Sequence, residues 1–134
     1  MGPRSIRSGR LVSEEKFEKI FHSSPVAFSI TTLEEGRFLE VNAAFESRYG
    51  YCRGELLGRT VHELRMWDDP ADRRLLLTQL RRAGPIRNVI TRLRAKSGEI
   101  KLTAYSGVRI QFDGQACILA VSEDVVTHDP SRSH

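Results

Sequence analysis

Residues 115–125 constrain the fold most. Ala116, Ile118 and Ala120 alternate there with Cys117, Leu119 and Val121, so a strand over this segment is apolar on both faces. A strand of that kind must be covered on both sides. Helices stacked on one face of a sheet cover one side only, and the other side then needs an amphipathic N-terminal helix or a second subunit.

Four further strands are legible. In residues 86–96, Val89, Thr91, Leu93 and Ala95 alternate with Ile90, Arg92, Arg94 and Lys96, which sends the odd positions inward. Ser97-Gly98 is a turn. Residues 99–110 offer two faces, Ile100, Leu102 and Ala104 on one and Thr103 and Tyr105 on the other; alternation alone favours burying the first set. Asp113-Gly114 closes the hairpin to the last strand. Earlier, residues 26–33 and 37–41 form a hairpin around Glu34-Glu35-Gly36.

The helices carry their own start and stop signals. Asp69 is a cap, Pro70 the first helical residue and Gly84-Pro85 the stop; Leu76, Leu77, Leu80 and Ala83 make the apolar stripe, while Arg73, Arg74, Arg81 and Arg82 are expected to face water. Ser13 followed by Glu14 and Glu15 reads as the start of an N-terminal helix with Phe17, Ile20 and Phe21 at i, i+3 and i+4, ending near Ser23-Ser24-Pro25. In between, Val41 closes a strand, Asn42 caps a helix from Ala43, and Gly50 ends it in the left-handed conformation, with Phe45 and Tyr49 on one face. A second short piece over 55–57 stops at Gly58, and 62–67 is helical or irregular.

At 134 residues the chain is expected to form one domain, with a tail or expression remnant at 1–12, the helix at 13–23, the domain proper at 24–127 and a tail or linker at 128–134. No apolar run reaches the ~20 residues of a membrane helix, and no signal-peptide segment follows the basic N-terminus, so a cytoplasmic location is expected. The formal net charge of +4 comes from dispersed arginines without interleaved aromatics, which reads as solvated surface rather than a nucleic-acid interface. Cys52 and Cys117 stand apart in dissimilar contexts and read as reduced thiols.

The string Val41-Asn42-Ala43-Ala44-Phe45, Gly50-Tyr51, Glu55-Leu56-Leu57-Gly58 resembles the heart of the PAS domain family, sensory modules of bacterial and eukaryotic signalling proteins. The element order is similar from about Phe17 to Val125, including Ser24-Pro25, Asp69-Pro70 and Lys96-Ser97-Gly98-Glu99. The resemblance implies an α+β fold: a five-stranded antiparallel sheet, short helices and one longer helix packed on one face around a small pocket, and an N-terminal amphipathic helix.

The residues themselves offer little catalytic chemistry. There is no phosphate-cradling glycine loop, no His-Glu helix motif for a metal and no nucleophile elbow, so the module is not expected to be an enzyme. Flavin photosensors of the family carry a reactive cysteine where this chain has Val61, and haem-binding members place an axial histidine on the long helix about where Arg73 or Arg74 stands. Both departures argue against a flavin photoadduct and against haem held in that way; His62 is left as a candidate ligand.

The candidate small-molecule pocket comprises Phe45, Tyr49, Leu64, Met66, Trp67, Leu76, Leu77, Leu80, Val89, Thr91, Leu93, Ile118 and Ala120, with Thr103, Tyr105 and Ser122 as hydrogen-bonding groups if the resemblance sets the strand register. A filled core is the competing reading for every one of them. The candidate dimer or signalling face joins Phe17, Ile20 and Phe21 to Phe28, Ile30, Leu102, Ala104, Leu119 and Val121, with intramolecular cover as its alternative. Asp124 is the candidate for coupling to an effector, where the family often ends in Asp-Ile-Thr and this chain reads Asp124-Val125-Val126-Thr127. The expected role is a sensory or dimerisation module of a signalling protein such as a histidine kinase, working as a homodimer with an output domain of the same chain; a pure protein-interaction platform is the alternative.

Overall fold

The computed structural model describes residues 8–125. Helix α1 (Ser8–Ser23) leads into strands β1 (Ala27–Thr32) and β2 (Phe38–Val41), the short helices α2 (Ala43–Tyr49) and α3 (Arg53–Leu56), the long helix α4 (Pro70–Arg82), and strands β3 (Ile86–Arg94), β4 (Ile100–Phe112) and β5 (Gln115–Asp124). The five strands form one sheet in the order β2-β1-β5-β4-β3, every neighbouring pair antiparallel. The strand that is apolar on both faces thus lies at the centre, where both faces find cover. No helix among the described residues is long and apolar enough to cross a membrane.

Local chemistry explains most boundaries. The Asp69 carboxylate accepts from Ala71 N at 2.9 Å with Pro70 in the first turn of α4, and Gly84 takes φ +100° beyond its end. Gly50 ends α2 at φ +81°. Asn42 does more than cap α2. Its Oδ1 accepts from Phe45 N and from Phe28 N, both at 3.0 Å, while its Nδ2 donates to Phe21 O at 2.7 Å and Val26 O at 2.9 Å. One buried amide therefore joins α1, β1 and α2 with both donors and its acceptor used.

Several boundaries and faces differ from the sequence reading. Helix α1 begins at Ser8, so Ser13 lies inside it instead of capping it, and residues 8–12 are not tail. A serine acts as a cap only where the chain before it leaves the helix, and no proline between Ser8 and Ser13 forces that. Residues 1–7, and the expectations placed on Val126, Thr127 and the C-terminal tail, lie outside the described residues. The second short helix starts two residues earlier than expected, at Arg53, and Leu57 is its C-cap. On α4, Arg73 is buried and Ala83 is exposed, the reverse of the expected stripe. Arg73, Leu76, Leu77 and Leu80 are spaced i, i+3, i+4 and i+7, and the helix ends before Ala83 could extend that stripe.

Partner strands settle the register of β4. Thr91 pairs with Thr103 and Val89 with Tyr105. Residues directly opposite share a face, so Thr103 and Tyr105 point inward with β3's odd positions, and Leu102, 50% exposed, points outward. The alternation-based preference for burying Ile100, Leu102 and Ala104 is overturned. Between Ile86 and Val89 the β3–β4 register slips: three steps on β3, from Ile86 to Val89, oppose the two between Gly107 and Tyr105, a bulge with Asn88 at φ +48°. It turns Ile86, an even position, into the core.

Candidate functional site

The helices press an apolar cluster onto the inner face of the sheet. Phe45, Tyr49, Met66, Trp67, Leu76, Leu77, Leu80, Leu93, Ile118 and Ala120 belong to it, and Leu64, Val89 and Tyr105 pack at its margin. Phe45 lies 4.6 Å from Tyr49 and 5.7 Å from Phe38, ring centre to ring centre. Thr91, Thr103 and Ser122 are buried beside it. The sequence thus selected residues that do come together, and their side chains largely fill the space between helices and sheet.

The polar groups on this face are unevenly satisfied. Thr91 Oγ1 donates to Thr103 O at 3.3 Å, and Thr103 Oγ1 donates to Lys101 O at 3.0 Å while accepting from Arg48 Nη2 at 2.9 Å. Two fully buried atoms have no partner among the described residues, the Tyr49 hydroxyl and Arg48 Nε. Tyr105 sits 5.5 Å from the Trp67 ring, and its burial pushes the phenol up to about 12, with the charge of Arg73 pulling the other way. Arg73 is itself 6% exposed, and burial holds its guanidinium below the usual arginine range.

Three residues that shape this region were not singled out for it in the sequence. Gly36, at φ +70°, admits the Arg73 guanidinium under the β1–β2 turn: a Cβ there would lie 2.6 Å from Val61 Cγ2 and 3.0 Å from Arg73 Nη2. Arg73 itself was assigned to solvent because of its charge, although its spacing from Leu76, Leu77 and Leu80 marked it. Arg48 was missed because nothing local distinguishes it. Its guanidinium pairs with the Asp124 carboxylate and reaches Thr103, so the last residue of β5 is tied to α2. That hydrogen bond holds the Asp124 carboxyl below the usual carboxylate range.

The outer face is divided. Phe21 of α1, 2% exposed, seals Ile30 and Cys117 with Phe28, Leu39, Ile110, Phe112 and Leu119 around them; it stacks on Phe28 at 5.7 Å. Burial pushes the Cys117 thiol up. The wider contact expected from the helix is not made: Phe17 meets Phe21 at 5.5 Å but stays 37% exposed, and Ile20 is 61% exposed. Of the three apolar residues expected to cover this face, only Phe21 is laid fully onto the sheet. Leu102 and Ala104 lie away from Phe21's cluster, with exposed Ile90 opposite Ala104, while Val121, opposite Phe28, stands at the cluster's edge. A shallow groove of about 300 Å³ between Pro85, Gly107, Val108, Leu119 and Val121 continues this bare half.

Among the described residues no three His, Cys, Asp or Glu side chains gather as a metal site, and His62 is exposed. Cys52 is exposed at the start of α3, its N–H donating to Glu55 Oε1 at 2.8 Å.

Helices over one face of an antiparallel sheet, a single helix over half of the other, and a central strand reaching both define a class of α+β domain. The family model of the PAS fold matches residues 15–125, and the chain belongs to the PAS family. Among solved structures it is similar to the PAS domain of an HTR-like protein from Haloarcula marismortui, with 24% identity, 91% of this chain and 100% of that one covered, and a TM-score of 0.69. It is also similar to a domain of a sensory box sensor histidine kinase/response regulator from Geobacter sulfurreducens, at 22% identity, 84% and 94% coverage and a TM-score of 0.67. The PAS domain of nitrogen regulation protein NR(II) from Vibrio parahaemolyticus shares 16% identity over 80% of this chain and 95% of that one, with a TM-score of 0.65. No curated protein sequence matches the chain.

Proposed function

We propose that this chain is the sensory and pairing module of a signalling protein of the sensor histidine kinase kind, not itself catalytic, acting in the cytoplasm on an output domain of the same chain. A small ligand received among the inner-face residues shifts the sheet, and the bare half of the outer face pairs with a second copy. The observation that carries this reading is the Arg48 bridge. Helix α2 places Phe45 and Tyr49 in the core and, through Arg48, holds Asp124 at the end of β5. A displacement of α2 by an occupant of the core is therefore felt where the strand leaves the domain.

Native mass spectrometry of the purified protein tests it. A dimer carrying a small molecule that denaturation releases is the expected result, with Leu102→Asp reducing it to monomer. A ligand-free monomer overturns the reading. The filled core favours a second one, a PAS fold that pairs with proteins and binds no ligand, and a ligand-free dimer would support that instead.

A further inference from the structure

Most charges on the outer face of the sheet are answered within the chain. Glu40, opposite Ile30, is held by Arg53 at 2.6 Å, and Asp68 takes both Arg92 at 2.9 Å and Arg94 at 3.0 Å. Among the described residues two outward charges of opposite sign are left without an ion pair: Arg87 on β3 and Glu123 on β5, both exposed.

Strand pairing fixes where they stand. Glu123 lies opposite Ala104 and Ala104 opposite Ile90, so these side chains form one row across the sheet. The next row holds Ser106 and Val121. Arg87 joins that row from β3, since Ile86 lies opposite Gly107 and Asn88 N donates to Ser106 Oγ at 3.0 Å. Arg87 also lines the shallow groove with Val108, Leu119 and Val121, which puts it on the outer face. The two charges therefore flank β4 from opposite sides, with Ala104 and Ser106 between them. At the usual strand spacing they are about 10 Å apart across the sheet.

Such a patch is complementary to itself. A two-fold axis lying in the contact plane and passing over Ala104 and Ser106 sets Arg87 of one copy against Glu123 of the other, and the same pair recurs across the axis. Small side chains at the centre let two sheets approach, while Ile90, Leu102 and Val108, exposed around them, supply the apolar area. A purely basic or purely acidic partner would leave one of the two charges unanswered. Copies of a chain with net charge +4 repel each other at long range, so their contact gains from being locally neutral and self-matching.

Resting on the reading that the bare half of the outer face pairs with a second copy, we infer that this pairing is two-fold and that reciprocal Arg87–Glu123 ion pairs set its register. The bridges select one alignment of two apolar faces and, as surface pairs, add little to affinity. Reversing one charge acts more strongly than removing it, because like charges then meet on both sides of the axis.

Sedimentation velocity of the full chain over a range of concentrations tests this. Arg87→Glu and Glu123→Arg, each alone, should weaken the dimer at least about tenfold. Mixed in equal amounts, the two variants should pair with each other at about wild-type affinity, since every charge again faces its opposite. Both positions are exposed, so each variant should melt with wild type. If a reversal fails to fold, the double-mutant cycle of Arg87→Gln and Glu123→Gln decides: non-additive losses of dimer affinity are expected, and additive ones overturn the inference. A reversal that leaves the dimer intact, or two dissociating variants that do not pair when mixed, overturns it while the pairing reading stands, Leu102→Asp still giving a monomer. A monomeric wild type, or a dimer indifferent to Leu102→Asp, removes both.

Discussion

The two faces of the sheet are built from the same strands and have opposite characters. Inside, helices α2 to α4 bury aromatic and aliphatic side chains together with threonines, a serine and an arginine, so shape and polarity are both specified. Outside, a single phenylalanine does most of the covering, and Ile90, Leu102 and Val108 remain in water. The contrast teaches that stability resides within, while the outer face holds apolar surface that folding does not consume and a partner can use.

The sharpest way to break this comparison is to cut equally on both sides. Phe45→Ala should cost about 3–5 kcal/mol in urea unfolding, and Leu102→Ala less than about 0.5 kcal/mol; comparable losses would end the distinction. Phe21→Ala probes the one covered strip of the outer face. It should cost about 3 kcal/mol and, in a Cys52→Ser background, turn Cys117 from inert to reactive toward a disulfide reagent. Unchanged labelling would mean that something other than Phe21 shields the thiol.

Asn42→Asp tests the junction between the faces. The acid can still cap α2, yet it loses the two donors to Phe21 O and Val26 O, for an expected cost of about 1–3 kcal/mol. A variant as stable as wild type would show the donors to be dispensable. The smallest effect concerns the exit. Arg48 lowers the Asp124 carboxyl in the native state, so the pair stabilises the fold fully above the ordinary carboxylate pKa, and this is lost as pH falls through the lowered native value. Asp124 is largely exposed, which limits the gain to a few tenths of a kcal/mol. Melting curves between neutral and acid pH should show Arg48→Met losing that increment only at the upper end.

What the sequence disclosed was local chemistry. Asn42, Gly50, Asp69-Pro70 and Gly84 mark ends because caps and left-handed residues are decided within a few positions. The inner apolar residues were legible from periodicity, and the two-sided β5 foretold both covers. Choices made by distant partners were hidden. Thr103 and Leu102 exchange faces according to how β4 meets β3, and Arg48 gains meaning only when Asp124 arrives from 76 residues away. Arg73 was hidden differently: its spacing was right, and its charge disguised it.

The bulge in β3 has a consequence for the length of the chain. Removing one residue from a strand ordinarily inverts every side chain beyond the cut. Here Asn88 is the surplus residue, and without it Ile86, Arg87 and Val89 alternate inward, outward and inward, with Ile86 still opposite Gly107. The deletion variant lacking Asn88 should fold with its core unchanged and its melting temperature nearly so, giving up one hydrogen bond from Asn88 N to Ser106 Oγ. Position 88 is thus a place where homologous chains can differ by one residue without differing in fold.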